Sequence, residues 1–412
     1  MKKQVMMVWC VLVILACVNG EAQEQKLVIW SHWGQEAVKV NFMNAIVEAF
    51  QKASGIKVDI VWVNKIELME KLVFALGTSE PDIAYIDTGF FNPRIGRSLV
   101  DLSDLAFTGQ IDPSWSPGNI GANNNIFLPI EGISDAIYYH KPLFEQAKIS
   151  LPQDRALTSQ EFLNIIRKLR AANITPVGEG TADRTGKVGN PILNIIFRYA
   201  GPEKVAQLIR GDLNFADPDV VAALKFWKQV IDAQGYDAPK ILQLTMEQGI
   251  FEMTDGKAAI CFGGTWIYGK YAKTARDQGQ IGVLDWVMVE NGKGNGYYKV
   301  LWVAGFGVNH HSAHLAEAKQ FLQYLMTPAA ASLWLKYVQT PYPVMADEVP
   351  SDSLYGMLAR QRKGQRPAPQ SLTYHVFQSK VTQQMWEDET RRFVMGEHTV
   401  EQFIERMNSR LK

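Results

Sequence analysis

Residues 26–63 read KLVIWSHWGQEAVKVNFMNAIVEAFQKASGIKVDIVWV, and their hydrophobic period changes twice. KLVIW is a short apolar run. From Val38 to Ala53 the residues Phe42, Ile46, Val47 and Phe50 recur at helical spacing. Gly55 suits a helix stop, and IKVDIVWV then alternates as a second strand. Strand, helix and strand in this order form the βαβ unit of a parallel sheet. The ring side chains of His32 and Trp33 are extra, because strand formation does not ask for them at its exit.

The alternation continues along the chain. Ile66–Leu76 reads as a helix ending at Gly77, PDIAYID as a strand, and RSLVDLSDL as a turn leading to a short helix. Helical patterns follow in SQEFLNIIRKLRAA, DVVAALKFWKQVIDAQ and AHLAEAKQFLQYLM, with strands in KAAICFGG and VLWVAGFGVN. The stretch from Gln378 onward is mainly helical and broken near Gly396. The fold class is therefore α/β, and 412 residues exceed what one compact domain usually holds. Two glycine-rich polar stretches, around Val177–Pro191 and Glu290–Lys299, read as loops. Arg360–Gln370 reads as a solvated basic loop, since no aromatic is interleaved with its charges.

Composition narrows the function. The 42 basic and 42 acidic residues balance, so no charge excess points to nucleic acid. Lys2 and Lys3 precede a run of apolar residues from Val5 to Ala16, too short to span a bilayer and suited to a secretory signal over residues 1–22. Cys17 in Ile14-Leu15-Ala16-Cys17 is a lipidation candidate; an ordinary signal-peptidase cut near Gly20 is the other route. Either way Cys261 has no disulfide partner, and it reads as a small buried hydrophobe.

Reactive motifs are missing from the sequence. The seven His show no HExxH spacing, and neither a GxSxG elbow nor a phosphate-binding GxxxxGK loop occurs. The two GxG sequences, Gly292–Gly294 and Gly305–Gly307, do not continue as a dinucleotide fingerprint. Neither a metal nor a cofactor is expected. Glu131 and Asp135 are paper candidates for a pair of hydrolytic carboxylates, with binding or solvent exposure as the plainer reading.

Several stretches together resemble the bacterial extracellular sugar-binding proteins that serve ABC importers, the maltose-binding-protein-like solute-binding family. They are KLVIW with the helix ending FQKASGIKVDI, PDIAYIDTGFFNPRIGRSLVDL, LPIEGISDAIYYHKPLFEQAKISLP, FEMTDGKAAICFGGTWIYGKY, WVAGFGVNHHSAHLAEAKQFLQYLMTP and FVMGEHTVEQFIERM. The resemblance spans most of residues 26–412 and departs at His140, where the family usually has Asn.

The resemblance implies two α/β lobes with a hinge and a ligand cleft between them. It implies a first lobe of residues 23–132 plus 306–341 and a second of 133–305 plus 342–412. Crossovers are implied near Ile130–Ala136, Trp302–Gly307 and Thr340–Val344. Gly305 and Gly307 then serve either a change of strand direction or close packing. A sugar needs flat rings for its C–H faces and fixed polar groups for its hydroxyls. Matching positions supply His32, Trp33, Asp87, Thr88, Phe90, Glu131, Asn190 and Trp266, with Trp302, Tyr374 and His375 as weaker candidates. Trp33 and Trp266 are the expected stacking platforms, while Trp30, Trp62, Trp227 and Trp334 are assigned to the core. The implied protein is no enzyme: it is an exported monomer, periplasmic or lipid-anchored to the outer face of the cytoplasmic membrane, passing carbohydrate to an ABC permease. The alternatives are a secreted carbohydrate-active enzyme, a receptor for a non-sugar solute, or a sensor.

Overall fold

The computed structural model describes residues 26–87, 93–105, 125–183, 188–271, 279–343, 351–368 and 383–411. The chain opens with strand β1 (Lys26–Ser31), helix α1 (Ala37–Ser54), strand β2 (Lys57–Trp62), helix α2 (Lys65–Ala75) and strand β3 (Ile83–Asp87). β1 pairs in parallel with both β2 and β3. Gly55 ends α1 in the left-handed region, φ 78°, which glycine adopts without strain. This is the βαβ unit read from residues 26–63.

After the short helix α3 (Pro93–Arg97) comes β4 (Leu128–His140), a strand of 13 residues. The chain continues with α4 (Lys141–Gln146), α5 (Ser159–Ala171), β5 (Thr175–Val177), α6 (Gly189–Arg210), α7 (Pro218–Asp232), α8 (Ala238–Ile241) and α9 (Met246–Thr254). Then come β6 (Ala258–Gly264), α10 (Trp266–Tyr271), β7 (Ile281–Leu284), β8 (Tyr297–Tyr298) and β9 (Val300–Val308). The chain closes with α11 (Leu315–Leu325), α12 (Pro328–Tyr337), α13 (Leu354–Gln361), β10 (Arg366–Pro367), α14 (Gln383–Val394) and α15 (Val400–Leu411).

β4 joins the two lobes. Its first half, Leu128 to Ser134, runs antiparallel to β9, which also pairs with β3. Its second half, Asp135 to His140, pairs with β6 and β7. The register slips between Pro129 and Glu131 and again between Ile133 and Ser134. Such irregularities bend a strand and re-aim its side chains. Gly305 faces this strand so closely that a Cβ there would lie 1.8 Å from the Leu128 carbonyl oxygen. Close packing thus accounts for this glycine.

The apolar residues gather into two large cores. One is built from residues between Leu27 and Ile130 together with Val303 to Tyr342. The other draws on residues between Ile137 and Val289 together with Ala368 to Met407. Trp227 and Trp334 are fully buried in these cores, and Cys261 is buried as well. His140 is the last residue of β4 and packs against Gly256, at the opposite end of the strand from its register slips. Its departure from the family pattern therefore bears on second-lobe packing and leaves the hinge alone.

Four sequence expectations are corrected. Asn190 lies in the first turn of α6 rather than in a loop. Arg362 and Gln361 are buried, so Arg360–Gln370 is not simply a solvated loop. Trp62 is 36% exposed, because β2 is the edge strand of the sheet and Trp62 stands at its end. Trp33 is 0% exposed. Its ring meets Tyr85 and Phe306 at 5.3 Å and Trp334 at 5.7 Å, so the first lobe's own rings already cover it. Trp33→Ala should cost about 3–5 kcal/mol, as expected for truncating a buried tryptophan. Urea unfolding that matched the parent would return Trp33 to the cleft surface.

Candidate functional site

The carboxyl ends of β1, β2 and β3 carry His32, Trp62 and Asp87, and ligands of open α/β sheets bind at such ends. Asp87 pairs across to Ala304 of β9, and Ala304 also pairs with Glu131 of β4. These side chains therefore sit level with the strands that pass between the lobes. Opposite them, β6 ends at Gly264 beside Asp135 of β4 and leads into Thr265 and Trp266. The lobes touch where α10 meets α1: a Cβ on Gly269 would lie 2.7 Å from Val38 Cγ2.

On the first-lobe side Lys39 extends from the first turn of α1. Its ammonium lies 2.7 Å from Glu131 Oε2 and 2.9 Å from Glu36 Oε2. Burial alone would lower the Lys39 pKa, but the two carboxylates outweigh it and raise the value. Burial raises Glu131, and Lys39 only partly offsets this. Glu131 is 0% exposed, and its Oε1 accepts no hydrogen bond among the described residues. His32 packs edge-on to Tyr85 at 4.4 Å, with Nε2 3.8 Å from Glu36 Oε1. Asp87 Oδ2 accepts from the Lys65 ammonium at 2.9 Å.

On the other side Asp135 is clamped. Asn190 Nδ2 donates to its Oδ1 at 2.7 Å, Asn194 Nδ2 to its Oδ2 at 2.6 Å, and Lys299 Nζ lies 3.0 Å away. Asn190 and Asn194 are four residues apart on α6, which places both amides on one helix face. Lys299 also donates to Asn190 Oδ1 at 3.2 Å. Both polar atoms of the Asn190 amide are thus engaged within the protein. In this arrangement Asn190 positions Asp135.

Behind this clamp lies a second buried group. Arg362 donates to Asp285 at 2.9 Å, to Ser134 Oγ at 2.8 Å and to the Asp135 carbonyl at 2.9 Å. Arg198 donates to the other Asp285 oxygen at 3.2 Å. Burial pushes the Asp285 carboxyl up, but Arg362, Arg198 and Gln365 together hold it below its ordinary value.

Trp266 is half-buried, edge-on to Tyr271 at 5.7 Å. Its indole lies over Gly264, where a Cβ would come within 2.6 Å of Cδ1 and Nε1. Trp62 is seated in a similar way on Gly34, where a Cβ would lie 2.8 Å from the Trp62 Cβ. Trp62 and Trp266 therefore each rest on a glycine near a strand exit.

The structure brings His32, Asp87, Glu131 and Trp266 to the two sides of β4, and it leaves Trp33 in the core. Trp302 pairs through its backbone with Ile133, but its side chain, together with Thr88, Phe90, Tyr374, His375 and Cys17, lies outside the described residues. Sequence reading missed Trp62, Lys39, Lys299, Arg198 and Arg362. Lys39 was findable, since it stands four and seven residues before the buried Met43 and Ile46 on the apolar stripe of α1. Arg198 was findable too, as the one charged residue of the largely apolar ILNIIFRYA. Arg362 gave no such signal.

The profile of bacterial extracellular solute-binding proteins matches residues 34–332. The chain belongs to that family. Its fold is similar to a structure from work on xylan utilization by the thermophilic bacterium Caldanaerobius polysaccharolyticus, at 18% identity and TM-score 0.72, covering 94% of this chain and 100% of that one. It is also similar to the GacH receptor of Streptomyces glaucescens, solved unliganded and with acarbose, at 16% identity and TM-score 0.67 over 93% and 96% of the two chains. RafE of Streptococcus pneumoniae with raffinose matches at 18% identity and TM-score 0.67 over 93% and 98%. These likenesses are to a two-lobed fold. No curated protein matches the chain in sequence.

Removing one arm of the buried Arg362–Asp285–Arg198 group should be costly. Arg362→Met is expected to destabilise by about 3–5 kcal/mol. The folded-state pKa of Asp285 is depressed, so its contribution is present above the unfolded carboxylate value, about 3.9, and is lost as pH falls below it. The gap between parent and variant should therefore shrink below about pH 4 in urea titrations; a pH-independent gap would refute the linkage.

Proposed function

We propose that the chain is the extracytoplasmic carbohydrate receptor of an ABC importer, capturing a mono- or oligosaccharide between its lobes and presenting it to a membrane permease. The observation that carries this reading is the presence of partly exposed tryptophans near strand exits together with a buried carboxylate oxygen, that of Glu131, which accepts no hydrogen bond among the described residues. Such a surface offers faces to sugar rings and an acceptor to hydroxyls. Family membership and neighbours described as binding raffinose, acarbose and chitin oligosaccharide support it.

In this reading the first lobe is 23–132 plus 306–341, the second is 133–305 plus 342–412, and the protein acts as a monomer. Residues 1–22 direct export, leaving it in the periplasm or held to the outer membrane face through Cys17. Trp62 takes over from Trp33 as the first-lobe platform opposite Trp266. His32, Asp87 and Glu131 supply polar contacts, joined by Thr88, Phe90, Trp302, Tyr374 and His375. Binding is favoured over hydrolysis because both oxygens of Asp135 are already engaged by Asn190, Asn194 and Lys299. A general acid or base must come within hydrogen-bond reach of the reacting group, and Asp135 is buried among these three donors.

A thermal-shift screen should find a stabilising sugar, with ligand at a hundredfold over Kd adding about 2.7 kcal/mol. Stabilisation by a polyamine, peptide or inorganic anion and by no sugar would sink the assignment. Trp62→Ala should weaken binding of that sugar about tenfold, as loss of one aromatic face implies, while leaving the melting temperature of the free protein unchanged. Unaltered affinity by calorimetry would remove Trp62 from the site. Incubation with the same oligosaccharide should leave it uncut; shortened products would favour the enzyme.

A further inference from the structure

We propose that the cleft is selective by charge: it accepts neutral or amino sugars and rejects those bearing a carboxylate, because its first-lobe wall holds one buried negative charge too many. This rests on the sugar-binding reading. Two carboxylates, Glu36 and Glu131, share one ammonium, that of Lys39, at 2.9 and 2.7 Å. The Lys39 side chain is 3% exposed and that of Glu131 is 0% exposed, so water screens neither. The neighbouring Asp87 pairs with Lys65, and Asp135 across the hinge pairs with Lys299. In the Lys39 group two carboxylates thus face one ammonium, with the His32 ring 3.8 Å from Glu36 as a further base that carries no charge when neutral.

Glu131 shows the polarity of this wall. One of its oxygens is taken by Lys39, and the other, fully buried, accepts no hydrogen bond among the described residues. An acceptor in that state calls for a donor, either a hydroxyl or an ammonium. A uronate would instead bring a second anion beside it in a poorly screened space, and like charges brought together at an interface are strongly disfavoured.

The compensating positive excess sits elsewhere. Arg198 and Arg362 share the single carboxylate Asp285. Their guanidinium groups also donate to the carbonyls of Gly294, Tyr297, Trp286 and Asp135 and to the hydroxyl of Ser134. Both arginines are buried within the second lobe, so they do not offer a carboxylate-binding fork to the cleft.

The test compares each neutral sugar that stabilises the protein with its C6-oxidised counterpart, by calorimetry at pH 8, where an ordinary imidazole is neutral. The oxidised form should bind about tenfold or more weakly. Glu36→Gln removes one carboxylate while keeping the Lys39–Glu131 pair, and should narrow that ratio to about threefold or less. Glu131→Gln, which preserves the side-chain shape, is the second variant and should narrow it likewise. Equal or tighter binding of the oxidised sugar by the parent, or a ratio that neither variant narrows, overturns the charge filter while leaving the sugar site in place. Binding of no sugar at all overturns the underlying reading and this inference with it.

Discussion

Two lobes share one strand. The first half of β4 belongs to one sheet neighbourhood and the second half to another, with Glu131 on one side of the change of partner and Asp135 on the other. The strand cannot slide as a whole without breaking backbone hydrogen bonds in both lobes. What it can do is pivot where its register already slips, at the two irregularities before Glu131 and before Ser134. Glu131 and Asp135 come from β4, and Lys39, Asn190, Asn194 and Lys299 are anchored to them, whereas His32 and Asp87 are held by the first lobe's own strands.

Burying so many charges beside a hinge is expensive, and replacing such ions with apolar side chains is often neutral or stabilising. The ions here are arranged in a sequence along the strand: two acids with one base, then a matched pair within an amide clamp, then two bases with one acid. The outer groups carry opposite excesses, so burial is shared between regions of opposite sign. Lys299 shows the local cost, its pKa lowered by burial despite the carboxylate of Asp135 beside it. Packed apolar residues could hold the lobes together equally well. They could not present a fixed carboxylate oxygen at the junction.

The fold was largely legible because it depends on period. The βαβ opening, the α5, α7 and α11 helices and the β6 and β9 strands follow from spacing of apolar residues, and spacing survives without knowledge of partners. The site was less legible because it depends on which ring is covered. Trp33 and Trp62 both stand at strand ends, Trp33 beside Ser31, His32 and Gly34 and Trp62 between Val61 and Val63, so the local sequence points the opposite way to their exposure. Only the three rings surrounding Trp33 and the edge position of β2 separate them. Asn190 was misplaced for a related reason: the glycines before it suggested a loop, whereas Gly189 and Asn190 already begin a helix whose next buried residues are apolar. Arg362 sat among exposed charges and gave no periodic hint of its burial.

The first core is assembled from both sides of a long insertion, residues up to Ile130 joining those from Val303 to Tyr342. During synthesis, α1 and the first three strands emerge well before β9, α11 and α12, the elements that cover them. Contacts this distant in sequence make folding slow, since the closure of the intervening chain must precede their reward. Until about four fifths of the polypeptide has appeared, Phe42, Phe50 and Trp33 have no Trp334, Phe321 or Phe306 to pack against. The shared strand therefore governs birth as well as motion: neither lobe matures on its own, and the interval before completion is the one in which an unfolded chain is available for passage through a membrane.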